Sequence, residues 1–307
     1  MEAEKRIAVL VPCYNEAQTI GKVVTEFRRE LPDADIYVYD NNSKDDTSLI
    51  AREAGAIVRR EPRQGKGNVV RSMLRDIKAD YYVLVDGDDT YPAKDIHILL
   101  DQALAGADMV VGDRLSNGTY EKENKRGFHS FGNNLVLFLI NQLYGTGLRD
   151  IMSGYRVFSK RFVETYPALC DGFQLETDMT IFALSRKLWI AEMPIIYRDR
   201  PKGSQSKLNT YSDGLRVIMT IFNLYRFFHP FRYFGIVAGV FLLAGLAVGI
   251  PVVIEFTATS FITKIPSAIL ASGCMILAVI SFSNGLILDS LNKSDQEEFE
   301  RELKRRG

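Results

Sequence analysis

Hydrophobic positions in the first hundred residues fall into short runs separated by stretches with helical spacing. Ile7–Val11, Ile36–Asp40, Ile57–Arg60 and Tyr81–Val85 read as strands. Glu16–Leu31, Asp45–Ala54 and Lys66–Ile77 read as helices between them. This alternation predicts an α/β domain, with a mostly parallel sheet and helices on both faces. Ala107–Gly112 and Ile190–Tyr197 add strands, and Phe128–Tyr144 and Leu175–Lys187 add helices.

The pattern changes near Lys207–Tyr211. No charged side chain occurs between Tyr233 and Ile254, nor between Ile265 and Leu288. A membrane helix needs about 20 apolar residues, and each run meets that length. Two such runs in tandem are too long for ordinary core helices. The expected organisation is a soluble α/β domain over 1–209, interfacial amphipathic helices over 210–231, two transmembrane helices within 232–289 (about 233–254 and 265–288), and a charged tail over 290–307. In the interfacial segment, Leu215, Ile218, Ile221, Phe222, Leu224 and Tyr225 crowd one broad face. That face suits a lipid boundary, or equally a helix packed on the soluble domain. The tail reads as a short surface helix or a disordered segment.

Charge adds orientation. Arg226 and Arg232 precede the first span, five basic residues follow the second, and the connecting loop offers only Lys264. The positive-inside rule then puts both ends and the first domain in the cytoplasm of a two-pass membrane protein. Met1–Arg6 lead straight into a strand, so no secretory leader is expected. With 38 basic and 38 acidic residues the formal net charge is zero, and nucleic acid is not an expected partner. Cys13, Cys170 and Cys274 show neither disulfide nor metal spacing, which fits a reducing compartment.

The chemistry gathers at the ends of the predicted strands, where open α/β sheets bind ligands. Tyr81–Val85 delivers Asp86-Gly87-Asp88-Asp89. Carboxylates this close repel one another unless a cation sits among them. They suit a hard divalent ion that also holds substrate phosphates, although Asp and Gly are equally common in solvated turns. The first strand ends in Pro12-Cys13-Tyr14-Asn15-Glu16 and the second in Asp40-Asn41-Asn42-Ser43. An acid such as Asp40 can accept from a base or ribose. Ser43, with Asp45 and Asp46, reads as a helix cap. Gly65-Lys66-Gly67 opens the third helix, and a helix N-terminus favours anions. The glycine spacing of a P-loop is absent.

Taken in order, Pro12–Glu16, Asp40–Ser43, Gly65-Lys66-Gly67 and Asp86-Gly87-Asp88 resemble family 2 glycosyltransferases of the GT-A fold. Gly112-Asp113-Arg114, Asp150–Arg156 with Ser153, Glu176, and Arg200 through Lys207 resemble the polyprenyl-phosphate branch of that family. Dolichol-phosphate mannose synthases and bacterial undecaprenyl-phosphate sugar transferases belong there. The resemblance spans residues 6–208.

It implies an inverting, metal-dependent transfer from a nucleotide-diphosphate sugar to a polyprenyl phosphate at a lipid bilayer. Pro12, Tyr14, Asn15, Glu16, Asp40, Asn42, Lys66, Gly67, Asp86, Gly87 and Asp88 would bind the donor. Asp86 and Asp88 would hold Mg²⁺ or Mn²⁺, with Asp88 the more direct ligand. Arg114, Ser153, Arg156, Arg200 and Lys207 would meet the acceptor phosphate. Asp88, Arg114 and Arg156 would carry catalysis, and Glu176 would orient an arginine or a sugar hydroxyl. A homo-oligomer is compatible with the resemblance. Asn41 and Asn42 replace the usual acid and glycine of the second loop, and Thr90 stands where a glutamine often assists the metal. These departures lean away from a simple mannose donor. UDP-N-acetylglucosamine is the first expectation, then UDP-glucose and GDP-mannose. A non-catalytic sugar-nucleotide-binding subunit and a nucleotidyltransferase are the competing readings.

Overall fold

The computed structural model describes residues 5–116, 127–169, 175–198, 222, 225–226 and 229–306, with only the backbone given for 127–135 and 306. The chain divides into two compact units, Met1–Thr220 and Ile221–Gly307.

In the first unit the elements follow as β1 (Ile7–Cys13), α1 (Ile20–Glu30), β2 (Asp35–Asp40), α2 (Thr47–Glu53), β3 (Ile57–Arg60), α3 (Lys66–Asp76) and β4 (Tyr81–Leu84). Then come α4 (Ile96–Leu104), β5 (Met109–Asp113), α5 (Gly127–Tyr144), β6 (Arg156–Ser159), α6 (Lys160–Thr165), α7 (Leu175–Ser185) and β7 (Ile190–Pro194). One seven-stranded sheet results, in the order β3-β2-β1-β4-β6-β5-β7. Its neighbours are parallel except β6, which runs antiparallel to both β4 and β5.

Successive side chains along a strand point to opposite faces, and the central strands are buried on both. Val9, Val11 and Cys13 of β1 pack with Ile36, Val38, Val83, Val110 and Val157 in one core cluster. The spacing of Ile20, Val23, Val24 and Phe27 puts one face of α1 on that cluster, joined by Ala51 of α2 and by Ile96, Leu99 and Leu100 of α4. Ala8 and Leu10 are equally buried outside the cluster, as are Val69, Val70 and Met73 of α3. β1 is therefore covered on both sides, which explains its near-continuous apolar run.

Three elements were not anticipated from the sequence, α4, β6 and α6. The helix expected over Glu16–Leu31 begins at Ile20, after a turn in which Thr19 and Ile20 donate to the Glu16 carbonyl. Ser43 does not cap α2. Its hydroxyl accepts from Asn15 N at 2.9 Å, and the Asp45 carboxylate accepts from Thr47 N at 3.2 Å instead.

The second unit is a helical hairpin, α8 (Pro230–Thr259) and α9 (Ile265–Arg306). Both helices are long and apolar enough to cross a membrane. Pro230 sits in the first turn of α8, where a missing N–H costs nothing. Gly249 lets α8 approach Ala271, and Gly285 lets α9 approach Phe231 and Phe234. The tail is neither separate nor irregular: α9 continues through it to Arg306. The expected interfacial helices fall mostly outside the described residues.

Candidate active site

Strand direction assembles the site. The C-terminal ends of β1, β2 and β4 point to one edge of the sheet, and β5 and β7 run the same way. Because β6 is antiparallel, its beginning arrives at that same edge, with Arg156 opposite both Leu84 and Val111. The strand order changes direction between β1 and β4, and such a switch point opens a ligand crevice.

The first two loops are tied together. Asn15 adopts a left-handed φ of 54°, and its side-chain oxygen accepts from Lys44 N at 2.7 Å. Glu16 N donates to Thr47 Oγ1 at 2.8 Å. Pro12 and Tyr14 flank Cys13 at the end of β1, and Cys13 lies beside Asp40 in register. Asp40 is buried, and its carboxylate accepts from Ser43 N at 3.3 Å. Asn42 takes φ 65°, so asparagine does serve in place of glycine in this turn. Asn41 is structural: its amide donates to the Glu61 and Arg63 carbonyls, and its oxygen accepts from Gly65 N at 2.8 Å. The loop before α3 is thereby fixed, and Gly65 closes it at φ 127°.

The Asp86–Thr90 loop packs between these turns and the start of β6. A Cβ on Gly87 would lie 2.7 Å from Cys13 Sγ, so only glycine lets the loop approach β1 this closely. Thr19 Oγ1 donates to the Gly87 carbonyl at 2.7 Å. A Cβ on Gly154 would overlap the Asp86 carboxylate. Lys66, the first residue of α3, donates 2.6 Å bonds to both Asp86 Oδ1 and Glu176 Oε1. Burial alone would lower the Lys66 pKa, but the two carboxylates outweigh it and raise the pKa above the ordinary lysine range. Gly67 is buried just behind Lys66.

The three neighbouring carboxylates are not equivalent. Asp88 is buried, and its Oδ1 accepts from Thr90 N at 3.2 Å and Thr90 Oγ1 at 2.6 Å. Thr90 thus orients Asp88. Asp89 takes φ 60° and pairs with Lys22 of α1 and, at 3.0 Å, with Arg198 after β7. Among the described residues no three His, Cys, Asp or Glu groups gather closely enough to hold an ion alone. Asp86 and Asp88 nevertheless fit Mg²⁺ or Mn²⁺, because such ions take one or two carboxylates and complete their shell with phosphate oxygens and water.

On the other side of Asp86, Arg114 grips Asp150 through Nε at 2.7 Å and Nη2 at 2.9 Å. Asp150 also accepts from the backbone N–H groups of Arg114 and Met152. Burial pushes the Asp150 pKa up, and the adjacent guanidinium more than reverses this, holding it below the usual carboxylate range. Arg114 Nη1 reaches toward the Tyr91 hydroxyl at 3.5 Å, and Tyr91 accepts from Gly154 N at 3.1 Å. Burial raises the Tyr91 phenol to about 12. Tyr91 and Asp150 therefore link Arg114 to the loop beside Asp86; neither had been assigned a role from the sequence.

Arg156 lies elsewhere than expected. It has no exposed surface, and its guanidinium donates to the carbonyls of Ser153 and Ile151 at 2.9 and 2.6 Å and to Thr180 Oγ1 at 2.9 Å. Ser153 is equally buried. This geometry makes Arg156 a support for the Ile151–Gly154 loop, not a group facing a ligand. Glu176 meets Lys66, where an arginine or a sugar hydroxyl had been expected. Arg200 and Lys207 lie outside the described residues.

Residues 8–166 match the family described as Glycosyl transferase family 2. Glycosyltransferase AglJ of Haloferax volcanii is 30% identical over 305 residues, covering 98% of each chain. The Dolichyl-phosphate hexose transferase of the same organism is 30% identical over 213 residues, 69% of this chain and 90% of its own. Among solved structures, glucosyl-3-phosphoglycerate synthase from Mycobacterium tuberculosis, in complex with Mn²⁺ and UDP-glucose, aligns with a TM-score of 0.59 at 21% identity. The match covers 73% of this chain and 80% of that one. The likeness is one of fold, and the fold is GT-A. The chain belongs to glycosyltransferase family 2 and is a glycosyltransferase.

Proposed function

We propose that this glycosyltransferase moves one sugar from a nucleotide-diphosphate sugar to a polyprenyl phosphate, yielding a polyprenyl-phosphate monosaccharide. The observation that carries the reading is the Asp86-Gly87-Asp88 loop at the sheet edge, in a chain whose second unit is two membrane-length helices. The curated relative named for dolichyl-phosphate hexose transfer supports the acceptor class. UDP-N-acetylglucosamine remains the first donor to test, followed by UDP-glucose and GDP-mannose.

In this reading the Pro12–Glu16 turn and Asp40 hold the nucleoside, and Lys66 with the N-terminus of α3 receives the diphosphate. Asp86 and Asp88 would hold Mg²⁺ or Mn²⁺, which would supply neutralising charge for the leaving diphosphate. The acceptor phosphate has a second pKa near 6, so it arrives anionic and needs no strong base. Its oxygen attacks the anomeric carbon from the face opposite the diphosphate. A carbon–oxygen bond to the lipid phosphate forms, the bond to the diphosphate breaks, and configuration inverts. Arg114, fixed by Asp150, supplies positive charge on the acceptor side, with Arg200 and Lys207 as further candidates. Arg156 and Ser153 shape the intervening loop. The helices of the second unit keep the enzyme at the bilayer, with the catalytic unit and both ends cytoplasmic.

Comparing undecaprenyl phosphate with the unphosphorylated alcohol as acceptor tests the reading. Sugar should pass to the phosphate alone. Equal transfer to the alcohol would mean that a base activates a hydroxyl, and the proposed acceptor would be wrong.

A further inference from the structure

The cation at the heart of the site belongs to the protein. Lys66 Nζ sits 2.6 Å from an Asp86 oxygen and 2.6 Å from a Glu176 oxygen. These three residues come from the start of α3, the end of β4 and the start of α7. The Lys66 and Glu176 side chains are only 14% and 8% exposed, so their charges are largely removed from water, while Asp86 is half-buried at 27%. A lysine in the first turn of a helix also opposes the helix dipole. Its stability there depends on the two carboxylates. On the β6 side Gly154 lies close to the Asp86 carboxylate, where a Cβ would overlap it.

Asp86 is one of the two residues that fit a divalent ion. An ion on that carboxylate would stand within a few ångströms of the ammonium, in a poorly solvated place where like charges repel strongly. The two cations would therefore compete for Asp86. Glu176 offers the ammonium a second anchor, and the N-terminus of α3 offers an arriving diphosphate a favourable seat beside it.

We propose that Lys66 is an exchangeable counter-ion. It neutralises Asp86 in the donor-free enzyme. When the metal–diphosphate arrives, it releases Asp86 to the metal and, still held by Glu176, pairs with the diphosphate. The exchange makes tight metal binding depend on the nucleotide. This inference rests on the donor-site reading above and adds an order of events to it.

The test uses the full-length protein in detergent. Mn²⁺ affinity is read by electron paramagnetic resonance without nucleotide, and affinity for UDP and GDP is read by calorimetry with Mn²⁺. Lys66→Gln should bind Mn²⁺ alone about tenfold more tightly than wild type and the preferred nucleoside diphosphate about tenfold more weakly. Glu176→Gln removes the second anchor and commits Lys66 to Asp86, so Mn²⁺ alone should bind more weakly. These opposite signs keep the idea testable even if Lys66→Gln fails to fold. Lys22→Gln removes a positive charge that pairs with Asp89 and should leave Mn²⁺ affinity within about twofold. Unchanged or weaker Mn²⁺ binding in Lys66→Gln would overturn the exchange, as would equal tightening in Lys22→Gln. If wild type bound neither Mn²⁺ nor any nucleoside diphosphate, the donor-site reading itself would fall, and the exchange with it.

Discussion

Replacing Arg114 with alanine should uncouple a buried ion pair and reveal how much of the site depends on it. Asp150 is fully buried, and the Arg114 side chain is 11% exposed. In Arg114→Ala the carboxylate keeps, among the described residues, only the two backbone N–H groups of residues 114 and 152. Removing one member of a buried pair costs about 3–5 kcal/mol. The surviving N–H bonds favour the lower end, about 3 kcal/mol. In a chain of this size that corresponds to a fall in melting temperature of roughly 6–12 °C. The assay is thermal unfolding in one detergent, read alongside transfer activity. The deficit should depend on pH. In wild type the depressed Asp150 pKa gives stability that is present above the ordinary carboxylate range and lost as pH falls through the folded value. Without Arg114, burial pushes that pKa up, so the gap between variant and wild type should narrow on acidification. The double variant Arg114→Leu with Asp150→Leu should recover part of the loss, because an apolar pair avoids stranding a charge. A melting point within about 2 °C of wild type, or a gap that does not vary with pH, would refute the reasoning.

Other consequences follow from the same geometry. Asp88→Asn should leave the fold intact and lower transfer by at least about a hundredfold, as loss of a charge-stabilising group does elsewhere; wild-type turnover would remove Asp88 from the metal site. Gly154→Ala places a methyl group in the Asp86 carboxylate, and such overpacking costs about 1–3 kcal/mol. Mn²⁺ binding should weaken with it, and unchanged binding would show that Asp86 has room to move. The Glu61 pKa is depressed to about 2 by the side-chain bonds from Arg63 and Ser72, against burial. Its stabilisation should be complete above the ordinary value of 4.5 and vanish as pH falls through about 2. Glu61→Gln should therefore melt lower than wild type at neutral pH, and the two curves should converge in acid.

Much of this architecture was legible because its elements are locally strong. The strand–helix alternation up to Tyr81, the two uncharged runs and the order of the edge motifs each carry their own signal. What escaped depended on partners distant in sequence. β6 is four residues long and opens with an arginine, a poor strand signal until the carbonyls of Ile151 and Ser153 are seen to absorb its charge. The same burial moves Arg156 from the expected ligand surface to the interior. Asp89 stands in line with Asp86 and Asp88 in the sequence. Its left-handed backbone and its pairing with Lys22 and Arg198, 67 and 109 residues away, set it apart. Glu176 is 110 residues from Lys66, so nothing local could have joined them. Tyr91 stands out in the sequence as an aromatic directly after the acidic loop, but its contacts with Arg114 and Gly154 exist only once β4, β5 and β6 share an edge.

The most direct measurement is transfer from radiolabelled UDP-N-acetylglucosamine, UDP-glucose and GDP-mannose to undecaprenyl phosphate, with Mg²⁺, Mn²⁺ or a chelator. The account predicts a butanol-extractable labelled lipid from one donor, abolished by the chelator and restored by the metal. Label in no lipid product from any donor, with nucleotide still bound by the protein, would contradict it.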